Sequence, residues 1–265
     1  MKTRHKIGML AMILGAMVVG ACSNIAEDER LIYVEPAAVN RAVLIEDFTG
    51  QKCVNCPNAT NTIHQIQEAY GEETVIAVAI HCGPFGLASG LMTDLGQTYW
   101  NNWFSDTQGQ PVAKINRGAA NDEYKQWAGV VANELTKTTD VSLELKTAYN
   151  ETSREVSIDI AALGKVGVKE KLQIWVVEDG IVAAQKQPDG STNKQYVHNH
   201  VLREAVNGDW GEDITYTEIP VTLHRAFVLN EKYVADNCAI VAFTYGEQGV
   251  SQAIIKRIQE RIEIK

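Results

Sequence analysis

The sequence has few cysteines, few prolines and a deficit of basic residues. Six prolines and 20 glycines among 265 residues exclude a collagen-like chain, and five cysteines are too few for a disulfide scaffold. Lys and Arg number 24 against 33 Asp and Glu, a net charge of -9. This acidic balance argues against binding to nucleic acid, because a phosphate backbone would be repelled. With 45% hydrophobic and 22% charged residues, the composition is that of an ordinary globular protein.

Long hydrophobic runs are also scarce, and the one present lies at the N-terminus. A basic start is followed by an apolar run from Ile7 to Val19 and by small residues that end at Cys22. The run is short for a bilayer span, and this order is typical of a secretion signal. Residues 19–22 (VGAC) resemble the lipobox of bacterial lipoproteins. The resemblance implies a signal peptide over residues 1–21, fatty acylation (palmitate) of Cys22 and a membrane anchor through that lipid.

The segment over residues 22–40 is predicted to be an acidic tether. Ser23 stands where an inner-membrane retention signal would have Asp, so we expect the outer membrane. The cluster Glu27-Asp28-Glu29 resembles the surface-export signal of Bacteroidota lipoproteins and is equally consistent with a solvated linker. The sequence therefore leaves both the periplasmic face and the cell surface open.

Residues 41–139 alternate predicted strands with predicted helices. Strands are expected at Val43–Phe48, Thr74–Ile80 and Val112–Asn116, and helices at Pro57–Tyr70, Leu91–Phe104 and Asp122–Leu135. The second of these strands is an uninterrupted apolar run, as expected for a parallel strand covered on both faces. This order predicts an α/β domain.

Residues 140–265 change to an alternation of apolar and polar residues, which predicts antiparallel strands. The strands are expected at Val141–Tyr149, Glu155–Ala162, Leu172–Val177, Ile214–Leu223, Cys238–Tyr245 and Ile254–Ile264, with one short helix at His200–Val206. The simplest architecture for this region is an all-β, immunoglobulin-like sandwich domain.

The motif Cys53-Val54-Asn55-Cys56 at the first strand-to-helix junction is the strongest chemical signal. Two thiols on the first turn of a helix can close a small disulfide, and the helix N-terminus stabilises the thiolate of the first. The alternative is half of a zinc site, but no second Cys/His pair follows at the spacing of a zinc finger. We therefore favour a redox motif, and we expect neither a metal nor a cofactor.

Around this motif the sequence resembles the thioredoxin-like superfamily. Asp47 precedes Cys53 by six residues, as in that family, and Pro111 stands where the family has a cis-proline opposite the disulfide. The resemblance implies catalytic roles for Cys53 as nucleophile, Cys56 as resolving thiol, Asp47 in proton transfer and Pro111 in shaping a peptide groove. The plain alternatives are a carboxylate that closes a strand and an ordinary turn proline. Because 58 residues separate Cys53 from Pro111, we expect an insertion within His81–Gln108 that covers the dithiol.

The lipobox and residues 48–57 (FTGQKCVNCP), 115–117 (INR) and 196–203 (YVHNHVLR) together resemble a Bacteroidota outer-membrane lipoprotein family named for a mass near twenty-eight kilodaltons. The resemblance implies a thioredoxin-like domain before a β-sandwich. It also implies two functions: exchange with exported protein thiols and disulfides, or a surface adhesin or receptor with a protein or glycan partner and a structural disulfide. An exposed Cys53 of low pKa would favour exchange, whereas a covered, permanently oxidised pair would favour binding.

Three smaller groups of residues have two interpretations each. Cys82 and Cys238 form either two buried free thiols, which we favour, or an interdomain disulfide. His198 and His200 could share one face of a strand and suit a metal, but no third ligand is evident, so turn and surface hydrogen bonds are preferred. The aromatic residues within Tyr99–Phe104 are expected in the core, with an exposed binding ridge as the alternative.

Overall fold

The computed structural model describes residues 39–105 and 107–259. The predicted signal peptide, Cys22 and most of the predicted tether lie outside the described residues. Within the described part of the chain, no helix combines the length and the apolar composition that a membrane crossing requires.

In the described residues up to 139, strands and helices alternate. The strands are β1 (Val39–Asn40), β2 (Val43–Thr49), β3 (Val75–His81), β4 (Val112–Ile115), β5 (Ala120–Asn121) and β6 (Thr138–Thr139). The helices are α1 (Cys56–Tyr70), α2 (Asp94–Trp103) and α3 (Trp127–Leu135). The order of the predicted strands and helices is confirmed, although α3 begins later than expected, after a 3-10 turn over Tyr124–Gln126.

After residue 139, the described regular elements are strands apart from one 3-10 turn. The strands are β7 (Ser142–Asn150), β8 (Glu155–Leu163), β9 (Lys169–Glu178), β10 (Ile181–Lys186), β11 (Thr192–His198), β12 (Val201–Ala205), β13 (Glu212–Thr215), β14 (Val221–Val228), β15 (Cys238–Gly246) and β16 (Gly249–Arg257). The expectation of a β-rich second half is therefore confirmed.

The helix predicted over His200–Val206 is wrong, because this segment contains strand β12. Val201 and Leu202 are adjacent in the chain and both are buried, as in a strand covered on its two faces. Strand β12 lies between β9, to which it is antiparallel, and β3, to which it is parallel. These neighbours are distant in sequence, and their hydrogen bonds override the local pattern.

One nine-stranded sheet contains strands from both predicted domains. Its order is β16-β15-β9-β12-β3-β2-β4-β5, with β13 paired to β9. The link between the two halves is β12 against β3, where the amide of Ala79 donates to the carbonyl of His200 at 2.8 Å. The division at residue 139 stays a prediction, and the sheet shows that the two halves share their hydrogen bonding.

The hydrophobic core of the described residues has three parts, one for each layer that covers the large sheet. Helices α1 and α3 pack on one face of β2, β3 and β4, around Trp127. Helix α2 packs on the other face, where Tyr99 and Trp100 meet Trp175 of β9. A three-stranded sheet of order β14-β8-β7 encloses the third part together with β9 and β15.

Candidate functional site

Cys53 and Cys56 form a disulfide at the start of helix α1. The helix begins at Cys56, and Pro57 follows in the first turn. Proline has no N–H, but N–H groups in the first turn have no acceptor within the helix, so no helical hydrogen bond is lost. The amide of Cys56 lies 3.1 Å from Cys53 Sγ and donates to it. The local sequence therefore places Cys53 just ahead of the helix, with its sulfur at the end of the helix dipole.

Pro111 lies beside this disulfide, and the predicted cis peptide is confirmed at Gln110–Pro111. Strand β4 starts directly after the proline and pairs antiparallel with β2, which leads to the cysteines. Cys53 Sγ consequently lies 3.3 Å from the carbonyl oxygen of Gln110. The Gln110 side chain donates to the carbonyls of Thr49 and Cys82 at 2.9 and 3.1 Å, which fixes the proline against both strands.

Asp47 lies under helix α1, in the interior of strand β2. Its side chain lines a small cavity with Thr60 and Ile63 of that helix, only 1% of the residue is exposed, and Oδ1 has no hydrogen-bond partner. Burial raises the pKa of this carboxyl to about 7. The neighbouring Glu46 points to the other face of the sheet, where it pairs with Arg117. Asp47 is thus the inward carboxyl on the disulfide side of the sheet.

The disulfide is covered, with Cys53 and Cys56 each 2% exposed. One covering segment follows β3, as predicted: the amide of Lys52 donates to the carbonyl of Phe85 at 3.0 Å. Gly50 permits this close approach, because a Cβ there would lie 2.3 Å from the Phe85 carbonyl. The pair therefore lacks the exposure expected of a thioredoxin-type nucleophile.

A second covering segment comes from beyond residue 140 and was not predicted from the sequence. It is the hairpin of β10 and β11, Ile181–His198, which we call the flap. The Gln185 side chain donates to the carbonyls of Cys53 and Gly50 at 2.9 and 3.2 Å. The amide of Lys186 donates to the carbonyl of Gln51 at 2.9 Å. In the other direction, the Gln51 side chain donates to the carbonyl of Ala184 at 2.8 Å.

Two buried histidines lie behind the disulfide. His81 ends β3 and His198 ends β11, their ring centroids are 5.1 Å apart, and both line a cavity of about 20 Å³ with Cys56 and Tyr196. Burial lowers the pKa of His81 to about 3 and that of His198 to about 4, so both are neutral at physiological pH. His200 instead pairs with Asp179 at 3.2 Å. The two histidines of the predicted His-x-His pair therefore have separate environments, and only His200 fits the turn interpretation.

With the Cys53–Cys56 disulfide closed, no group of three or more His, Cys, Asp or Glu side chains among the described residues is arranged to hold a metal ion. Cys82 and Cys238 are free and buried, which confirms the preferred interpretation of these thiols. Tyr99 and Trp100 are in the core as expected, whereas Trp103 is only half-buried.

Arg117 contacts residues from several strands, although it was identified in the sequence only as part of the INR motif. Its guanidinium lies 3.9 Å from the ring centroid of Tyr245 and 4.8 Å from that of Phe243, and its Nε is 3.2 Å from a Glu46 oxygen. Asn116, beside it, accepts from the amide of Leu44 at 2.9 Å. The motif thus ties the end of β4 to both halves of the large sheet.

Comparison with solved structures shows similar folds, among them two bacterial proteins. HBP35 of Porphyromonas gingivalis has a TM-score of 0.69 at 14% identity, with 83% of this chain and 76% of that chain covered. AGR_C_4864 from Agrobacterium tumefaciens has a TM-score of 0.52 at 16% identity, with 84% and 97% covered. At these identities the likeness concerns the fold alone. No curated protein matches the chain significantly.

The family model of the outer membrane protein Omp28 matches residues 97–262, well over half of the chain. This match supports the predicted outer-membrane localisation. It starts after the Cys53–Cys56 pair, so it carries no information on the chemistry of the disulfide. The chain belongs to the Omp28 outer membrane protein family.

Proposed function

We propose that this protein is an outer-membrane lipoprotein, anchored through Cys22, whose thioredoxin-like N-terminal half exchanges thiols and disulfides with exported proteins when the flap opens. The observation that carries the proposal is the placement of the disulfide. It lies at a helix N-terminus, 3.3 Å from the carbonyl before cis-Pro111 and on the same side of the sheet as the buried carboxyl of Asp47.

The exchange reaction has two steps. In the reduced protein, the Cys53 thiolate attacks a substrate disulfide, forming a mixed disulfide and releasing one substrate thiolate, which takes up a proton. Cys56 then loses its proton to Asp47 and attacks Cys53 Sγ, which releases the second substrate thiolate and closes the protein disulfide. The substrate gains the two electrons that the cysteine pair loses, and a dithiol reductant regenerates the pair.

The unpaired polar groups near the disulfide support this chemistry over a purely structural role. Burying a carboxyl or an imidazole without a hydrogen-bond partner destabilises a fold by about 1–3 kcal/mol for each group. Asp47, His81 and His198 each retain one such atom. A disulfide that served only as a crosslink would need none of them, whereas perturbed titratable groups are typical of reaction sites.

A second candidate function is that of a binding protein in which the disulfide is structural and the partner is a surface protein or glycan. The observation that favours it is the 2% exposure of both cysteines, because a substrate disulfide cannot reach a covered sulfur. The two candidates differ in whether the flap opens and whether the pair is reducible.

Redox titration of the full chain separates these candidates, with free thiols trapped by a maleimide mass tag and Cys53→Ser as the control. Exchange predicts a reversible midpoint within the range of known oxidoreductases, roughly -120 to -270 mV. A pair that stays oxidised below about -300 mV would rule out exchange and favour the binding function. Lipidation is tested separately by fatty-acid labelling of the wild-type chain and of Cys22→Ala, which should lose the label.

A further inference from the structure

The cavity behind the disulfide contains two nitrogen atoms with no partner. His81 is 3% exposed and its Nδ1 makes no hydrogen bond, and His198 is 6% exposed with an unpartnered Nε2. The other side of the His198 ring donates to the carbonyl of Ala183. A ring that donates from one nitrogen presents a lone pair on the other, which is the arrangement of a metal-binding histidine.

The size of the cavity limits what it can hold. A volume of about 20 Å³ accommodates one water molecule or one ion and no larger ligand. Cys56 lines the same cavity as the two imidazoles. In the disulfide its sulfur is not a thiolate, so the oxidised site offers only two strong donors. Reduction adds the third.

We propose that reduction of the Cys53–Cys56 disulfide creates a binding site for one Zn²⁺ ion, with His81, His198 and Cys56 as its ligands. Two imidazoles and one thiolate form a donor set that Zn²⁺ accepts as three of its ligands. A dithiol reductant supplies two electrons and two protons to the disulfide, and Cys56 releases its proton to solvent when the ion binds. In the wild-type chain this site rests on the proposed function, since the pair must be reducible.

The three ligands come from three different elements. His81 ends β3, Cys56 begins α1 and His198 belongs to the flap. A bound ion would therefore hold the flap closed and occupy the resolving thiol at the same time. Zn²⁺ binding and disulfide exchange exclude each other.

Two single-cysteine variants of the full, untagged chain test the site without any need for reduction. Cys53→Ser leaves Cys56 as a permanent thiol, and Cys56→Ser leaves Cys53. We expect Cys53→Ser to bind one equivalent of Zn²⁺, and Co²⁺ to give a thiolate-to-metal charge-transfer band in it. Both signals should be lost in Cys56→Ser. Equal binding by the two variants, or by neither, would overturn the proposal.

The histidine ligands are tested in the Cys53→Ser background. Adding His198→Gln should abolish binding, whereas adding His64→Gln, at an exposed histidine of α1, should leave it unchanged. Unfolding curves for each variant show that the fold is retained, and His81→Gln repeats the test from the sheet side. Binding that survives both His81→Gln and His198→Gln would contradict the assignment.

Wild-type protein completes the test. It should bind Zn²⁺ after reduction and not before, and equal binding by the oxidised chain would overturn the proposal. If the wild-type pair reduces normally but the Cys53→Ser variant binds no metal, the metal site is refuted and the exchange function is unaffected. A pair that never reduces would remove both from the wild-type chain.

Discussion

Gln185→Ala should make the disulfide react faster with a dithiol reductant. The Gln185 side chain is buried and joins the flap to the carbonyls of Cys53 and Gly50. A hydrogen bond of this kind contributes about 0.5–1.5 kcal/mol net, so losing two weakens flap closure by about 1–3 kcal/mol. Because 1.4 kcal/mol is a factor of about ten, the open population should rise roughly 5- to 150-fold. When opening and closing are fast, the rate of reduction rises by the same factor.

The assay follows reduction of the full chain by dithiothreitol over time, with mass-tagged maleimide to count thiols. Gln195→Ala is the matched control, because Gln195 is an exposed glutamine of the same flap. Denaturant unfolding of each variant shows whether the change is confined to the flap. If Gln185→Ala reacts no faster than the control, flap opening does not limit access to the disulfide.

Two further predictions concern stability. The pKa of Asp47 is about 7 in the folded chain against an ordinary value of 3.8. The stability that the folded chain gains from holding this carboxyl protonated is therefore fully present below pH 3.8 and is lost as the pH rises through about 7. The loss is on the order of 4 kcal/mol, so in urea unfolding Asp47→Asn should be more stable than wild type near neutral pH and above, and nearly equal to it in acid. Arg117→Ala should lower the free energy of unfolding by about 3–5 kcal/mol in guanidinium, because it leaves Glu46 buried without its cation. Glu46→Gln, which keeps the size of the side chain, should be milder, and equal losses would contradict this account.

The sequence allowed prediction of those parts of the site that depend on short-range spacing. Cys53 and Cys56 lie one turn apart, and the disulfide and the start of α1 follow from that spacing. The cis peptide before Pro111 was anticipated from the family resemblance. The proximity of His81 and His198 could not be predicted from the sequence, since 117 positions separate them and only the packing of the flap against the large sheet makes them neighbours.

The flap and strand β12 were missed for a related reason. No strand was predicted within residues 181–198, and nothing in that segment indicates that Gln185 will bond to residues more than 130 positions earlier. Strand β12 is short, and its conformation is set by β3 and β9 on either side. Local preference over five residues is weak beside two sets of neighbouring hydrogen bonds.

The shared sheet has a practical consequence for work on the cysteine pair. A fragment that ended at residue 139 would lack β12 and would present β3 as an open edge, and the core cluster that contains Ile76 and Ile80 would lose its members from β9, β12 and β15. Open apolar edges recruit other chains, so such a fragment should aggregate rather than report on the redox pair. Dissection of this protein is better done by point substitution than by truncation.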